Sequence, residues 1–140
     1  MYLIDTVVYS EIQRTVPATQ VLRFLEGIPA PLLYSSVIVL GELVQGVGNA
    51  PDDTRAQRYS AWINEVLLPQ LQDRLLPVSA EVARRWGELS GTAMRLGESL
   101  PLADTLIAAT ADVHGLIVVT RNERDFLRCG VRVRNPWTEI

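Results

Sequence analysis

Short apolar stretches alternate with longer amphipathic ones along this chain, and that alternation limits the folds open to it. Each apolar stretch has the length of a strand and is followed by residues with helical spacing of apolar side chains. Strands are predicted at residues 2–4, 32–35, 74–78, 116–120 and 131–133. Such an alternation predicts an α/β fold with a mostly parallel central sheet and helices on both faces.

Capping residues and periodicity locate the predicted helices. They run from Asp5 or Thr6 to about 13, over 17–27, from Ser35 or Ser36 over 37–47, over 51–68, from Ser79 to about 96, over 102–114 and over 122–128. In the helix predicted over 51–68, an apolar stripe is expected at Trp62, Val66 and Tyr59.

Bulk composition indicates an ordinary globular protein that acts in the cytoplasm. The 140 residues contain no repeat, low-complexity tract or evident linker, so residues 1–140 are expected to form one domain. A single cysteine, Cys129, excludes an intrachain disulfide and a thiolate zinc cluster, which suits a reducing compartment. No apolar run approaches the ~20 residues of a membrane span. The first residues also lack the basic region of a signal peptide.

Three acidic residues are embedded in apolar sequence, where an isolated carboxylate is costly to bury. Asp5 ends the first strand, Glu42 lies within a helix, and Asp104 lies in the first turn of another. Ligands of open α/β sheets bind outside the carboxyl ends of the strands, so the three are expected to meet at that edge. Converging carboxylates repel one another, and a divalent cation with oxygen ligands would relieve the repulsion.

Each acid also has a purely structural interpretation. Asp5 could serve only as a helix N-cap, and Glu42 could be a half-exposed surface residue. Asp104 could do no more than complement the helix dipole, which favours an anion there and predicts that its carboxylate stays ionised. The shared location of all three favours the metal site.

The segment TRNERDF follows the strongest strand and offers a fourth contribution to the same edge. Thr120 could support the site through its hydroxyl, and either Asn122 or Asp125 could supply a further oxygen. For Asp125 a local role in a turn or cap is the competing interpretation. The sequence leaves the choice between Asn122 and Asp125 open.

The charge pattern qualifies a nucleic-acid interpretation. The net charge of −3 argues mildly against simple nucleic-acid binding. All 13 basic residues are arginine, whose planar fork matches phosphate. Five lie near the end of the chain: Arg121, Arg124, Arg128, Arg132 and Arg134. A solvated surface biased in composition explains the same pattern.

Four segments together resemble the PIN-domain ribonucleases, specifically the VapC toxins and the related toxin FitB. They are LIDT, SSVIVLGELVQGV, LPLADTLIAATADVHGLIVVTRNERDF and the closing VRNPW. The resemblance implies a PIN-like fold and a Mg²⁺-dependent endoribonuclease, with Mn²⁺ as a substitute. It also implies that the chain is the toxin of a type II toxin–antitoxin pair. Asp5, Glu42 and Asp104 match the family's acidic positions.

Two positions depart from the family pattern. The fourth acidic position is often Asp in the family and is Asn122 here, with Asp125 three residues later. The family commonly has Asn after Asp-Thr near the start, and Val7 stands there. Both departures keep a second interpretation open, in which a catalytically weakened PIN domain only binds its antitoxin and, in that complex, operator DNA.

The resemblance also implies partners. They are an RNA substrate, a VapB-type antitoxin, a second copy of the chain, and DNA only through the antitoxin. The helices that carry Trp62 and Trp86 are candidates for the homodimer interface.

Overall fold

Five parallel strands form one sheet in the computed structural model, which describes residues 1–139. The strands are β1 (Tyr2–Ile4), β2 (Leu33–Ser36), β3 (Leu75–Leu76), β4 (Ile117–Val119) and β5 (Val133–Arg134). Their order is β3-β2-β1-β4-β5, and every neighbouring pair is parallel. In the register of the central strands, Leu3 lies opposite Tyr34 on one side and Val118 on the other. The predicted α/β fold with a parallel sheet is confirmed.

Helices connect the strands and flank both faces of the sheet. They are α1 (Thr6–Ile12), α2 (Thr19–Glu26), α3 (Val37–Gly48), α4 (Asp53–Trp62), α5 (Leu68–Leu71), α6 (Ala80–Arg95), α7 (Leu102–His114) and α8 (Glu123–Arg128). The predicted side-chain caps formed at Asp5, Ser36 and Ser79, each of which accepts from a backbone N–H in the first turn. Gly115 closes α7 in the left-handed conformation (φ +67°), as its position after the periodic segment predicts.

The order of the strands reverses direction at β1. The chain moves from β1 outward to β2 and β3, then returns to the other side of β1 for β4 and β5. Right-handed crossovers on opposite sides of the starting strand place their helices on opposite faces of the sheet. The reversal therefore leaves a crevice at the carboxyl ends of β1 and β4, where ligands of such sheets bind.

The core lies where these central strands meet the helices. Leu3, Ile4, Val118 and Val119 are fully buried, which explains why β1 and β4 read as continuous apolar runs. Phe126 of α8 is the largest of the fully buried side chains. One apolar cluster extends from Leu3 to Val131, so elements from both halves of the chain share the same core.

Two strand predictions were displaced by a few residues. The last strand forms at Val133–Arg134 rather than over 131–133: Val131 is buried, but the pairing with β4 begins at Val133. The strand predicted over 74–78 is restricted to Leu75–Leu76, where it pairs with β2.

In the structure, the helix predicted over 51–68 is longer and buries a different face. α4 continues through a π-helical segment, Ile63–Leu67, into α5 and ends at Leu71. The predicted stripe is wrong at Val66, which is 51% exposed, whereas Leu67 and Leu71 are buried. A π-helical turn holds more residues than an α-helical turn, so it rotates the buried face relative to a 3.6-residue period.

Within residues 1–139 no helix is both long enough and apolar enough to cross a membrane.

Candidate functional site

The crevice between β1 and β4 carries a buried hydrogen bond between two polar side chains. Asp5 extends β1, and its N–H donates to the carbonyl of Val119 at 3.0 Å. Thr120 extends β4 in the same way, through a 3.0 Å bond to the carbonyl of Arg134. The Thr120 hydroxyl then donates to Oδ2 of Asp5 at 2.7 Å. The two strand ends thereby fix the orientation of the Asp5 carboxylate.

Asp5 caps a helix and is also a buried acid with a raised pKa. Its Oδ1 accepts from the N–H of Thr6 at 2.8 Å, which caps α1. The side chain is only 3% exposed. The pKa of Asp5 is raised to about 6, mainly by burial; the hydrogen bonds from Thr120 and Thr6 oppose the rise, and the charges of Asp104 and Glu42 add to it. The capping interpretation is therefore correct but incomplete, because capping alone would lower this pKa.

Glu42 reaches the same crevice from α3. It is half-buried, and its Oε1 accepts from the Thr6 hydroxyl at 2.5 Å. This bond joins the first turn of α1 to the middle of α3. Glu42 is half-exposed, as its structural interpretation allows, and its carboxylate is also held across two helices.

Asp104 lies close to both candidates for the fourth position, Asn122 and Asp125. Nδ2 of Asn122 donates to Oδ2 of Asp104 at 2.8 Å and to Oδ2 of Asp125 at 2.9 Å. Two carboxylates can only be bridged by the donor end of the amide, so the Asn122 side chain presents its nitrogen to this cluster. Its backbone N–H donates to the Thr120 hydroxyl at 3.0 Å, which connects this cluster to Asp5.

The pKa of Asp104 is also raised to about 6. Burial is the main cause, and the charges of Asp125 and Glu42 add to it, while the bond from Asn122 opposes it. Burial and neighbouring charge thus act against the helix dipole, which was expected to keep this carboxylate ionised. Asp104 is still mostly ionised at neutral pH, but it holds its proton more firmly than an exposed Asp does.

Four acids therefore share one crevice, and they interact mainly through unfavourable charge. Oxygen donors with excess negative charge are the chemistry that suits Mg²⁺. Within residues 1–139, however, no three His, Cys, Asp or Glu side chains stand close enough to form a ready-made metal site. Hydroxyl and amide donors from Thr6, Thr120 and Asn122 separate the carboxylates instead. In chemistry, the oxygen donors of these acids fit a divalent cation.

Sequence reasoning did not identify Thr6 as a site residue. It was considered only as a possible cap for α1, whereas its hydroxyl holds Glu42. The available signal was the hydroxyl placed directly after Asp5 at the start of a helix, but its partner lies 36 positions away.

Comparison with known proteins gives relatives along nearly the whole chain. Residues 2–131 match the family model described as "PIN domain". The chain is 33% identical over 137 residues to "VapC ribonuclease Y4jK" of Sinorhizobium fredii, covering 98% of each chain. It is also 33% identical over 137 residues to "Toxin FitB" of Neisseria gonorrhoeae, covering 98% of this chain and 99% of that protein.

Solved structures give the same result. The crystal structure of FitAcB from Neisseria gonorrhoeae superimposes with a TM-score of 0.93 at 32% identity, covering 99% of this chain and 100% of that one. The structure of FitAB bound to an IR36 DNA fragment has a TM-score of 0.92 at 31% identity, with coverage of 100% and 98%. From the matched family model, the identity to these relatives and the shared parallel sheet, we conclude that the chain belongs to the PIN-domain family.

Proposed function

We propose that this protein is a metal-dependent endoribonuclease and the toxin of a type II toxin–antitoxin pair. The observation that carries the proposal is the pair Asp5 and Asp104, both with a pKa raised to about 6 at the strand-order reversal. Perturbed acids in a crevice are typical of functional sites. Relatives named as a ribonuclease and as a toxin support the same assignment.

In this proposal Asp5, Glu42 and Asp104 hold Mg²⁺, for which Mn²⁺ can substitute. Such an ion, when bound, stabilises the charge that develops on a phosphodiester and activates water for attack. Burial is the main cause of the raised pKa values of Asp5 and Asp104, and repulsion from neighbouring carboxylates adds to it; a cation would relieve that repulsion.

The neighbouring polar side chains orient these acids. Thr120 fixes Oδ2 of Asp5, and Thr6 fixes Oε1 of Glu42. Asn122 holds Asp104 and Asp125 side by side through its amide nitrogen. For the fourth position we therefore propose Asp125 as the oxygen donor and Asn122 as a positioning residue.

The proposed partners are RNA, a VapB-type antitoxin and a second copy of the chain, and the proposed setting is the cytoplasm. A relative named "Toxin FitB" and a solved FitAB complex bound to DNA support an antitoxin through which the pair contacts DNA. For the homodimer we propose the surface of α6 around Trp86. Trp62 is a weaker candidate because its ring packs against Tyr9 and Tyr59 within the chain.

A test of the proposed function is RNA cleavage by the purified, antitoxin-free protein. Wild type is expected to cleave RNA with Mg²⁺ or Mn²⁺ and to stop when a chelator is added. Asp5→Asn and Asp104→Asn are expected to lose cleavage while keeping the fold, checked by circular dichroism. Asp112→Asn, an exposed acid at the other end of α7, is the matched control and should cleave as wild type does. Cleavage that persists in chelator and in both site variants would refute the metal-dependent mechanism.

A catalytically weakened binding module is the second candidate. Val7 is 38% exposed on the first turn of α1, beside Thr6, where the family commonly has Asn. Antitoxin binding by a wild-type protein that cleaves no RNA under any metal condition would favour this candidate.

A further inference from the structure

A basic cleft lies between the end of α1 and the junction of α3 with α4. It encloses about 950 Å³ and is lined by Arg14, Arg55 and Arg58 together with polar side chains that include Gln13 and Asn49. Among its lining residues, all within the described range 10–59, there is no Asp or Glu. A cleft with three cations and no anion is unexpected in a chain whose net charge is −3.

The cleft continues the seam that carries the acidic site. Thr6 of α1 meets Glu42 of α3 at the site, and the residues one turn further along each helix, Ser10 and Gly46, line the cleft. Residues spaced by four lie on the same face of a helix, about 6 Å further along its axis. The cleft therefore begins about one helical turn from the acidic site along the same pair of helices.

The arginines of the cleft are available to a ligand. Arg58 is exposed, and within residues 1–139 it makes no ion pair or side-chain hydrogen bond. Arg14 and Arg55 are 68% and 63% exposed at the side chain, and each makes one contact with an acid three positions before it in the chain, Glu11 at 3.5 Å and Asp52 at 3.7 Å. The Arg55–Asp52 pair is exposed on both sides, and such pairs contribute little and exchange readily for a better anion. The partner of Arg14, Glu11, is buried, so Arg14 is the more firmly held of the two.

The arginines near the end of the chain are engaged more closely. Arg134 makes a bidentate pair with Glu139 at 2.6 and 2.7 Å, and its guanidinium lies over the rings of Tyr2 and Phe24. Arg128 contacts Glu98 at 3.1 Å. Two of the five arginines near the end of the chain, Arg128 and Arg134, are therefore held by other side chains of the protein.

We infer that the cleft lined by Arg14, Arg55 and Arg58 binds the sugar–phosphate backbone of single-stranded RNA next to the scissile phosphate. The inference rests on the proposed function, since it takes RNA as the substrate. Arginine keeps its charge at all relevant pH values and forks onto phosphate oxygens. The side chains of Gln13 and Asn49 add neutral donors for sugar and phosphate oxygens. The cleft thereby offsets the repulsion between RNA and the acidic site.

The test measures RNA binding without cleavage. The Asp104→Asn variant, which is expected not to cleave RNA, serves as the parent protein. Its binding to a fluorescein-labelled single-stranded RNA of mixed sequence is measured by fluorescence anisotropy over a range of salt concentrations. Adding Arg55→Gln and Arg58→Gln is expected to weaken binding roughly ten-fold at low salt. The magnitude of the slope of the logarithm of the RNA-binding constant against the logarithm of the salt concentration is expected to fall by about 1.4, which is about 0.7 for each of two lost phosphate contacts.

Two controls separate the cleft from general electrostatics. Arg84→Gln removes an exposed arginine of α6 outside the cleft and should leave the slope unchanged. Arg58→Lys retains the charge and should retain the slope. An unchanged slope in the double variant, or an equal loss in Arg84→Gln, would overturn the inference. So would a double variant that binds RNA normally but no longer binds the antitoxin, because the cleft would then serve the protein partner.

The outcomes also distinguish this inference from the proposed function. A wild-type protein that binds RNA through the cleft but never cleaves it contradicts only the proposed function. A wild-type protein that cleaves RNA, while the double variant binds RNA unchanged, contradicts only the inference about the cleft.

Discussion

The Thr120 hydroxyl and the Asp5 carboxylate, 115 positions apart in the chain, are joined by a buried 2.7 Å hydrogen bond. The same hydroxyl accepts from the backbone N–H of Asn122 at 3.0 Å. Thr120 thus links Asp5 at the end of β1 to the segment that holds Asp104 and Asp125. A single hydroxyl connects the two halves of the acidic site.

Replacing Thr120 by Val keeps the shape of the side chain but leaves Asp5 without its buried donor. The free energy of unfolding is expected to fall by about 1–3 kcal/mol, because an unsatisfied buried acceptor costs its desolvation. Urea denaturation measures the change. Thr120→Ser retains the hydroxyl and should cost about 1 kcal/mol for the lost methyl group. Equal losses in the two variants would show that packing, not the hydrogen bond, makes the contribution.

The pKa of Asp5 makes the metal-free protein less stable as pH rises. The folded chain binds the Asp5 proton up to about pH 6, whereas the ordinary value is 3.8, so between these limits the folded state holds more protons. Stability that depends on this proton is present below the window and is lost as pH rises through about 6. Asp104 contributes with the same sign.

Asp5→Asn removes this titration. In chelator at neutral pH the variant is expected to be more stable than wild type by an amount on the order of 1–3 kcal/mol. The advantage should shrink as the pH is lowered through the window. Denaturant titrations at a series of pH values measure it, and a constant difference at all pH values would contradict the assigned pKa.

The bond from Thr6 to Glu42 predicts a separate effect on activity. Thr6→Val removes the donor and should lower the cleavage rate or the affinity for Mg²⁺ by about 10–100-fold, as is common for residues that orient metal ligands. Initial rates measured over a range of Mg²⁺ concentrations distinguish the two effects. Thr6→Ser keeps the hydroxyl and should behave like wild type. The proposed role of Glu42 would be untenable if Glu42→Gln cleaved RNA normally.

Asn122→Asp replaces a bridging donor by another carboxylate between Asp104 and Asp125. Without metal the added repulsion should lower the melting temperature, and Mg²⁺ should raise it by more than it does in wild type. Differential scanning fluorimetry with chelator and with Mg²⁺ measures both shifts. Asn64→Asp, the same change at an exposed position, should leave the response to Mg²⁺ unaltered. An unaltered response in Asn122→Asp as well would place residue 122 outside the metal site.

The π-helical segment predicts which neighbours in the long helix carry the packing. Leu67→Ala should lower the free energy of unfolding by about 2–5 kcal/mol, because Leu67 is buried. Val66→Ala, at the exposed adjacent position, should change it by no more than about 0.5 kcal/mol. The stripe expected from a regular α-helix would give the opposite order in denaturation measurements.

Local chemistry determined much of the fold. Ser36 and Ser79 cap helices because a hydroxyl next to a free N–H is a short-range interaction that needs no tertiary context. The apolar run of β4 marks a strand that is covered on both faces. Val66 was placed wrongly because the π-helical segment shifts which side chains face the core, and a simple helical period does not include that shift.

For the site, the sequence by itself determined which acids lie at the ends of strands and helices, namely Asp5, Glu42 and Asp104. Only the tertiary structure decided their partners: Thr6 for Glu42, Thr120 for Asp5 and Asn122 for Asp104. Caps and strands arise from neighbours in sequence, whereas these bonds join segments that meet only once the sheet has formed. The raised pKa values follow for the same reason, because burial and mutual repulsion exist only in the folded chain.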